Sequence, residues 1–123
     1  MMVGPLTLTS GDSPRLNDED LNRQVLQQMR AAGDDLRTPR PIDFSHAMPD
    51  AASAASFAVE FLTRGFRVAV EETGSTPNLP WDVVVTIVMV PTLHTINETE
   101  RDLGEAAANH GGRPDGWGCA QIP

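Results

Sequence analysis

The stretch WDVVVTIVMV, residues 81–90, constrains the fold more than any other part of the chain. From Val83 to Val90 it is β-forming and apolar at successive positions rather than alternate ones. A strand of that kind is covered on both faces, so it belongs in the middle of a sheet. The remaining segments must then supply flanking strands and a helical layer.

Those segments are readable from their periods. Ile42, Phe44, His46 and Met48 alternate with Asp43, Ser45 and Ala47, which predicts a strand with one apolar face. Pro39 and Pro41 stand at its beginning, where missing ladder donors are tolerated. Phe66, Val68 and Val70 mark a second strand, and TGSTPNLP (73–80) reads as the loop between it and the central one. Between these strands, DAASAASFAVEFLTRG (50–65) reads as a helix capped by Asp50 and stopped by Gly65. Its expected inner stripe is Ala51, Ala54, Ala55, Ala58, Phe61 and Leu62. A further helix runs from Leu93 to His110, capped by Thr92 and stopped by Gly111, with Leu93, Ile96, Leu103 and Ala107 inward. A final strand begins near Arg113.

The order β-α-β-β-α-β is the split pattern of a ferredoxin-like α+β sandwich, a four-stranded antiparallel sheet with two helices on one face. An extra N-terminal helix precedes it, with Asn17 or Asp18 as cap, Leu21, Val25, Leu26 and Met29 as a narrow stripe, and Gly33 as the stop. The predicted organisation is a flexible N-terminal segment over 1–17 and a single domain over 18–123, with its helix over 18–33 and its core over 38–122. The opposite sheet face needs cover, from the N-terminal helix or from a second copy in a homodimer.

Charge and cysteine usage narrow the function. Nine arginines, no lysine and seventeen acids give a net charge of −8, the wrong sign for a surface that neutralises phosphates, so direct nucleic-acid binding is not expected. The absence of lysine removes Schiff-base and P-loop chemistry. Cys119 is the single cysteine and suits a reducing compartment. No signal peptide or spanning segment is read, so the expected location is cytoplasmic, away from membranes. His46, His94, His110 and Cys119 fall in no metal-ligand spacing, no Gly-x-Ser-x-Gly elbow exists, and no acid–base carboxylate pair stands out. Neither a catalytic residue nor a metal or cofactor is expected.

Two stretches carry a resemblance. GDDLRTPRPIDF (33–44) leads into the first core strand, and MVPTLHTINETERDLGEAAANHGGRPDGWGC (89–119) holds the last helix and strand. With Pro39, Arg40, Asp43, Phe44, Pro91 and above all Asp115-Gly116-Trp117-Gly118, the chain resembles the regulator of ribonuclease activity B family over about residues 20–122. The resemblance implies a ferredoxin-like fold and a non-catalytic regulator that modulates RNA turnover by docking on the scaffold portion of the bacterial endoribonuclease E. It supplies no catalytic residue to carry over.

The candidate acidic patch for an arginine-rich scaffold segment is the side of the last helix bearing Glu98, Asp102 and Glu105, whose first reading is an ordinary solvated helix face. Trp81 and Trp117 are the hot-spot candidates if they face outward, but Trp117 between glycines also suits close packing on a neighbouring backbone. Arg40 and Asp43 read as a rim or loop-fixing pair. The alternative to a protein-binding regulator is a homo-oligomeric or small-ligand-binding ferredoxin-like module with another role.

Overall fold

The structure, a computed structural model, describes residues 2–6 and 18–122. Its elements in chain order are β1 (Met2–Leu6), α1 (Asp18–Ala31), β2 (Arg40–Met48), α2 (Ala51–Thr63), β3 (Arg67–Thr76), β4 (Leu79–Met89), α3 (Leu93–Asn109) and β5 (Arg113–Ala120). One sheet has the order β1-β5-β2-β4-β3, every pairing antiparallel. After α1 the chain follows β-α-β-β-α-β with β2 and β4 at the centre of the four core strands, the predicted α+β sandwich.

The central strand takes its predicted place, but only one of its two faces is covered: on the far face Val88 is 66 % exposed and Val84 is half-buried. β4 pairs with β2 from Arg40↔Met89 to Met48↔Trp81, and Val83 and Val85 are fully buried opposite His46 and Phe44. The helix side of the sheet carries Ile42, Phe44, His46 and Met48, with Trp117 and Cys119 of β5 alongside. These residues form one core with Ala54, Phe57 and Phe61 of α2 and Ile96, Leu103 and Ala107 of α3. The opposite face carries Asp43 and Val88, both exposed, with Ser45 and Thr86 half-buried.

Four sequence-based expectations change. First, the lead-in over 1–17 contains a strand. Met2–Leu6 adds to the outer edge of β5 with Met2↔Ala120 and Val3↔Cys119. Backbone pairing to an unfilled edge needs no side-chain period, so composition gave no sign of it. The expected cap Asn17 lies outside the described residues. Second, α1 does not cover the open sheet face. Its Val25, Leu26 and Met29 join the same core as α2 and α3, so all three helices form one layer. Third, the inner side of α2 is Ala54, Phe57, Ala58 and Phe61, while Ala51, Ala55 and Leu62 are exposed. Fourth, the loop between β3 and β4 shrinks to Pro77-Asn78, with Thr76 paired to Leu79 and Asn78 at φ 66°. Asn tolerates that left-handed geometry better than most residues, which lets so short a turn close the hairpin.

The helix ends follow their predicted caps. Asp50 Oδ1 accepts the Ser53 N–H at 2.7 Å. Thr92 and Thr95 form a reciprocal box, each hydroxyl accepting the other's backbone N–H, at 3.1 and 3.2 Å.

Candidate functional site

The β5 motif is a structural key. Gly116 has φ 102°, a geometry that glycine adopts without penalty, at the irregularity where β5 shifts register against β2 between Phe44 and His46. The next residue, Trp117, pairs with Phe44 and is 1 % exposed. Its indole Nε1–H donates to Asn22 Oδ1 at 2.7 Å, and the Asn22 amide donates to Asn97 Oδ1 at 2.8 Å and Glu100 Oε1 at 2.6 Å. Asn22 is fully buried and ties α1, α3 and β5 together with its oxygen and both amide hydrogens engaged. Trp117 is therefore a core residue and not the surface anchor that one sequence reading allowed. The ring is too large and too well bonded at that site to serve a partner.

Arg40 is also relocated. It is 2 % exposed and forms a two-pronged ion pair with Asp34, itself 1 % exposed; one of the two contacts, Nη2 to Oδ1, measures 3.1 Å. The same guanidinium donates to the carbonyls of Thr38 and Ala120, each at 3.1 Å. Asp34 in turn accepts the backbone N–H of Leu36 at 2.9 Å and of Ile122 at 2.9 Å. Leu36 sits at φ 60°, unusual for a branched side chain, and the Asp34 turn together with burial of Leu36 holds it there. Arg40 and the N–H donors hold the Asp34 carboxyl far below the usual carboxylate range despite its burial, while Asp34 raises Arg40. Asp43 takes no part. Strand alternation sends it to the other face, where its Oδ1 accepts the Thr86 hydroxyl at 2.6 Å, so the expected Arg40–Asp43 pair does not exist.

The remaining titratable candidates are structural in the same way. His46 is buried against Phe57, ring centroids 5.0 Å apart, with Nδ1 3.4 Å from the Val83 carbonyl. Burial lowers it to about 4, so its ring is neutral at pH 7. Burial pushes the Cys119 thiol up, against the opposing influence of Arg40, which makes it a poor nucleophile. Burial and then the Asp82 carboxylate raise Asp115, with Arg113 opposing. Among the described residues no group of three or more His, Cys, Asp or Glu side chains is placed to hold a metal ion. Pro39 and Pro91 flank β2 and α3, the first exposed and the second buried.

The surface tells a different story. Glu98, Asp102 and Glu105 are all exposed, at i, i+4 and i+7, on the side of α3 opposite the buried Ile96, Leu103 and Ala107. His94 extends the row, its Nε2 3.3 Å from Glu98, and Arg101 is an exposed cation on the same helix. Beside this row a groove of about 450 Å³ runs between the start of α1 and α3, lined by Glu19 on one helix and by Glu100, Arg101 and Glu105 on the other. Spacing along the chain does not single out Glu19 or Glu100, because only the packing of α1 on α3 brings them beside Glu105. Further along the same side of α1, toward the start of α3, a groove of about 410 Å³ carries Arg23 and Arg30 instead, and Arg23 pairs with Glu19 at 3.3 Å. Trp81 lies apart from the acidic row, half-buried at the start of β4 opposite Met48 and packed on the core.

The fold and surface define a class: a small α+β module whose polar chemistry is spent on holding elements together and whose distinctive exposed feature is an acidic helix face. Residues 19–119 match the family model for regulator of ribonuclease activity B, and the chain belongs to that family. Membership implies regulation of ribonuclease activity and hence a protein partner. No curated protein matches the chain. None of the described helices is long and apolar enough to cross a membrane.

Proposed function

We propose that this chain is a non-catalytic regulator that docks on the scaffold portion of endoribonuclease E in the bacterial cytoplasm and so modulates RNA turnover. The observation that carries the reading is the Glu98–Asp102–Glu105 row on α3, held outward by a fully buried opposite side and extended toward Glu19 and Glu100. A row of carboxylates on a rigid helix attracts a flexible arginine-rich segment over a distance and fixes its approach, while a net charge of −8 repels RNA itself. Docking at the scaffold rather than the catalytic centre explains how a module without an assigned catalytic residue changes an enzyme's output.

The test is a cleavage assay with a fluorescent RNA and purified endoribonuclease E. The chain alone leaves the RNA intact, slows cleavage by the enzyme carrying its scaffold portion, and leaves the isolated catalytic half unaffected. Equal inhibition of both enzyme forms, or RNA cleavage by the chain itself, contradicts the proposal.

A further inference from the structure

The two outer strands of the sheet differ in what covers them. β5 is covered by β1, but among the described residues β3 is the end of the sheet, and from Arg67 to Ser75 its residues are exposed or half-buried. Its ladder to β4 is regular from Arg67↔Thr86 to Glu72↔Trp81, so residues 67–71 present an extended row of backbone donors and acceptors outward. Arg67 and Glu71 lie on the open face of this stretch, and Val68 and Val70 lie on the helix side. Neither Arg67 nor Glu71 makes an ion pair among the described residues.

The apolar side chains point to the same edge. Four large ones are exposed among the described residues: Val59 (58 %), Leu62 (52 %), Val70 (43 %) and Val88 (66 %). α2 meets α3 through Glu60, 3.7 Å from His110, and through Phe57, whose ring lies 6.0 Å from the His110 ring. At about 100° per residue, Ala51, Ala55, Val59 and Leu62 fall on the flank of α2 turned away from α3, the flank above β3. Three of the four therefore gather beside the open strand.

The strand's own sequence says what fits it. Arg67-Val68-Ala69-Val70-Glu71 is self-complementary when read against itself in the antiparallel sense. With a two-fold axis at Ala69, each Arg67 faces the other copy's Glu71 on the open side, and each Val68 faces a Val70 beneath α2. Moving the axis to Val70 sets Ala69 against Glu71 and Val68 against Glu72. Moving it to Glu71 sets that carboxylate against its own copy. Directly opposed residues interact most strongly, and among these registers the Ala69 axis is the one that sets unlike charges opposite each other. The same charges discourage indiscriminate pairing by other strands.

We propose that two copies of this chain join β3 to β3 about an axis at Ala69, forming one continuous ten-stranded sheet with the two α2 flanks packed over the seam. The contact is isologous, so it closes as a dimer. This edge-to-edge joint differs from a homodimer whose open sheet faces cover one another, and it leaves the acidic row on α3 free. It does not depend on the docking proposal.

The experiment is sedimentation of the full chain over a concentration series, with Arg67→Glu and the exchange Arg67→Glu/Glu71→Arg. Both residues are exposed, and circular dichroism checks that each variant is folded. The wild type sediments as a reversible dimer. Arg67→Glu sets four carboxylates across the seam and weakens the dimer by at least about tenfold, and the exchange restores it to within about threefold. A wild-type monomer throughout the series overturns the proposal and leaves the edge to a strand of a different protein. A dimer indifferent to Arg67→Glu, or one that the exchange fails to restore, also overturns it.

Discussion

The two ends of the sheet solve the same problem in opposite ways. At the β5 end the unpaired edge is closed by β1, and polar keys under the surface lock it: Trp117 to Asn22, and Arg40 to Asp34 and the carbonyl of Ala120. At the β3 end the backbone edge is open, its charges are solvent-facing, and the apolar flank of α2 stands beside it. The lesson is that polar residues serve as internal fasteners at one end and as surface features at the other. The same residue types carry unequal energetic weight accordingly.

Substitutions at the β5 end carry the largest expected effects. Asp34→Ala leaves Arg40 buried without its counter-charge and destabilises the fold by about 3–5 kcal/mol in chemical denaturation. A loss under about 1 kcal/mol would mean that water replaces the carboxylate, contrary to a closed fastener. Next in size is the pH dependence. His46 titrates near 4 when folded but near the ordinary 6.5 when unfolded. The unfolded chain therefore binds the extra proton first, and stability falls as pH drops through that window by about 3 kcal/mol in all. Asp34, depressed in the folded state, withdraws its own contribution only at lower pH, beginning below the ordinary carboxylate range near 4. Denaturation midpoints followed from pH 8 to pH 3 should show the histidine loss first, and His46→Phe should flatten it.

Asn22→Ala strands the Trp117 N–H and removes two further bonds, so it should cost about 1–3 kcal/mol. Glu72→Gln, on the exposed β3 edge just outside the proposed 67–71 pairing, gives the smallest change, within about 0.5 kcal/mol. A large effect there would erase the contrast between the two ends.

How much of this is visible in the sequence depends on whether a feature repeats. The unbroken β-forming run at Val83–Val90 placed β4 in the centre, although its second face is open at Val88, and the i, i+4, i+7 spacing of Glu98, Asp102 and Glu105 gave the outward row, because one-sided burial of a helix leaves a period behind it. The Asp115-Gly116-Trp117-Gly118 motif marked the family. The fasteners leave no period. Asn22 bonds residues 75 and 95 positions away, and Arg40 looked like a rim cation until its strand turned it inward onto Asp34. α2 misled for a related reason: with alanines on every side, Ala51 and Ala55 could not be told from Ala54 and Ala58. β1 was hidden because pairing through the backbone asks little of the side chains.

The central claim is that the outward acids of α3 engage a basic protein segment. The direct measurement is calorimetric titration of the chain with the arginine-rich scaffold segment of endoribonuclease E at low and high salt, comparing wild type with Glu98→Gln/Asp102→Asn/Glu105→Gln. Binding that weakens with salt in the wild type, and that is at least about tenfold weaker with a flattened salt response in the variant, is the predicted result. Equal affinity and equal salt response in both proteins would contradict it.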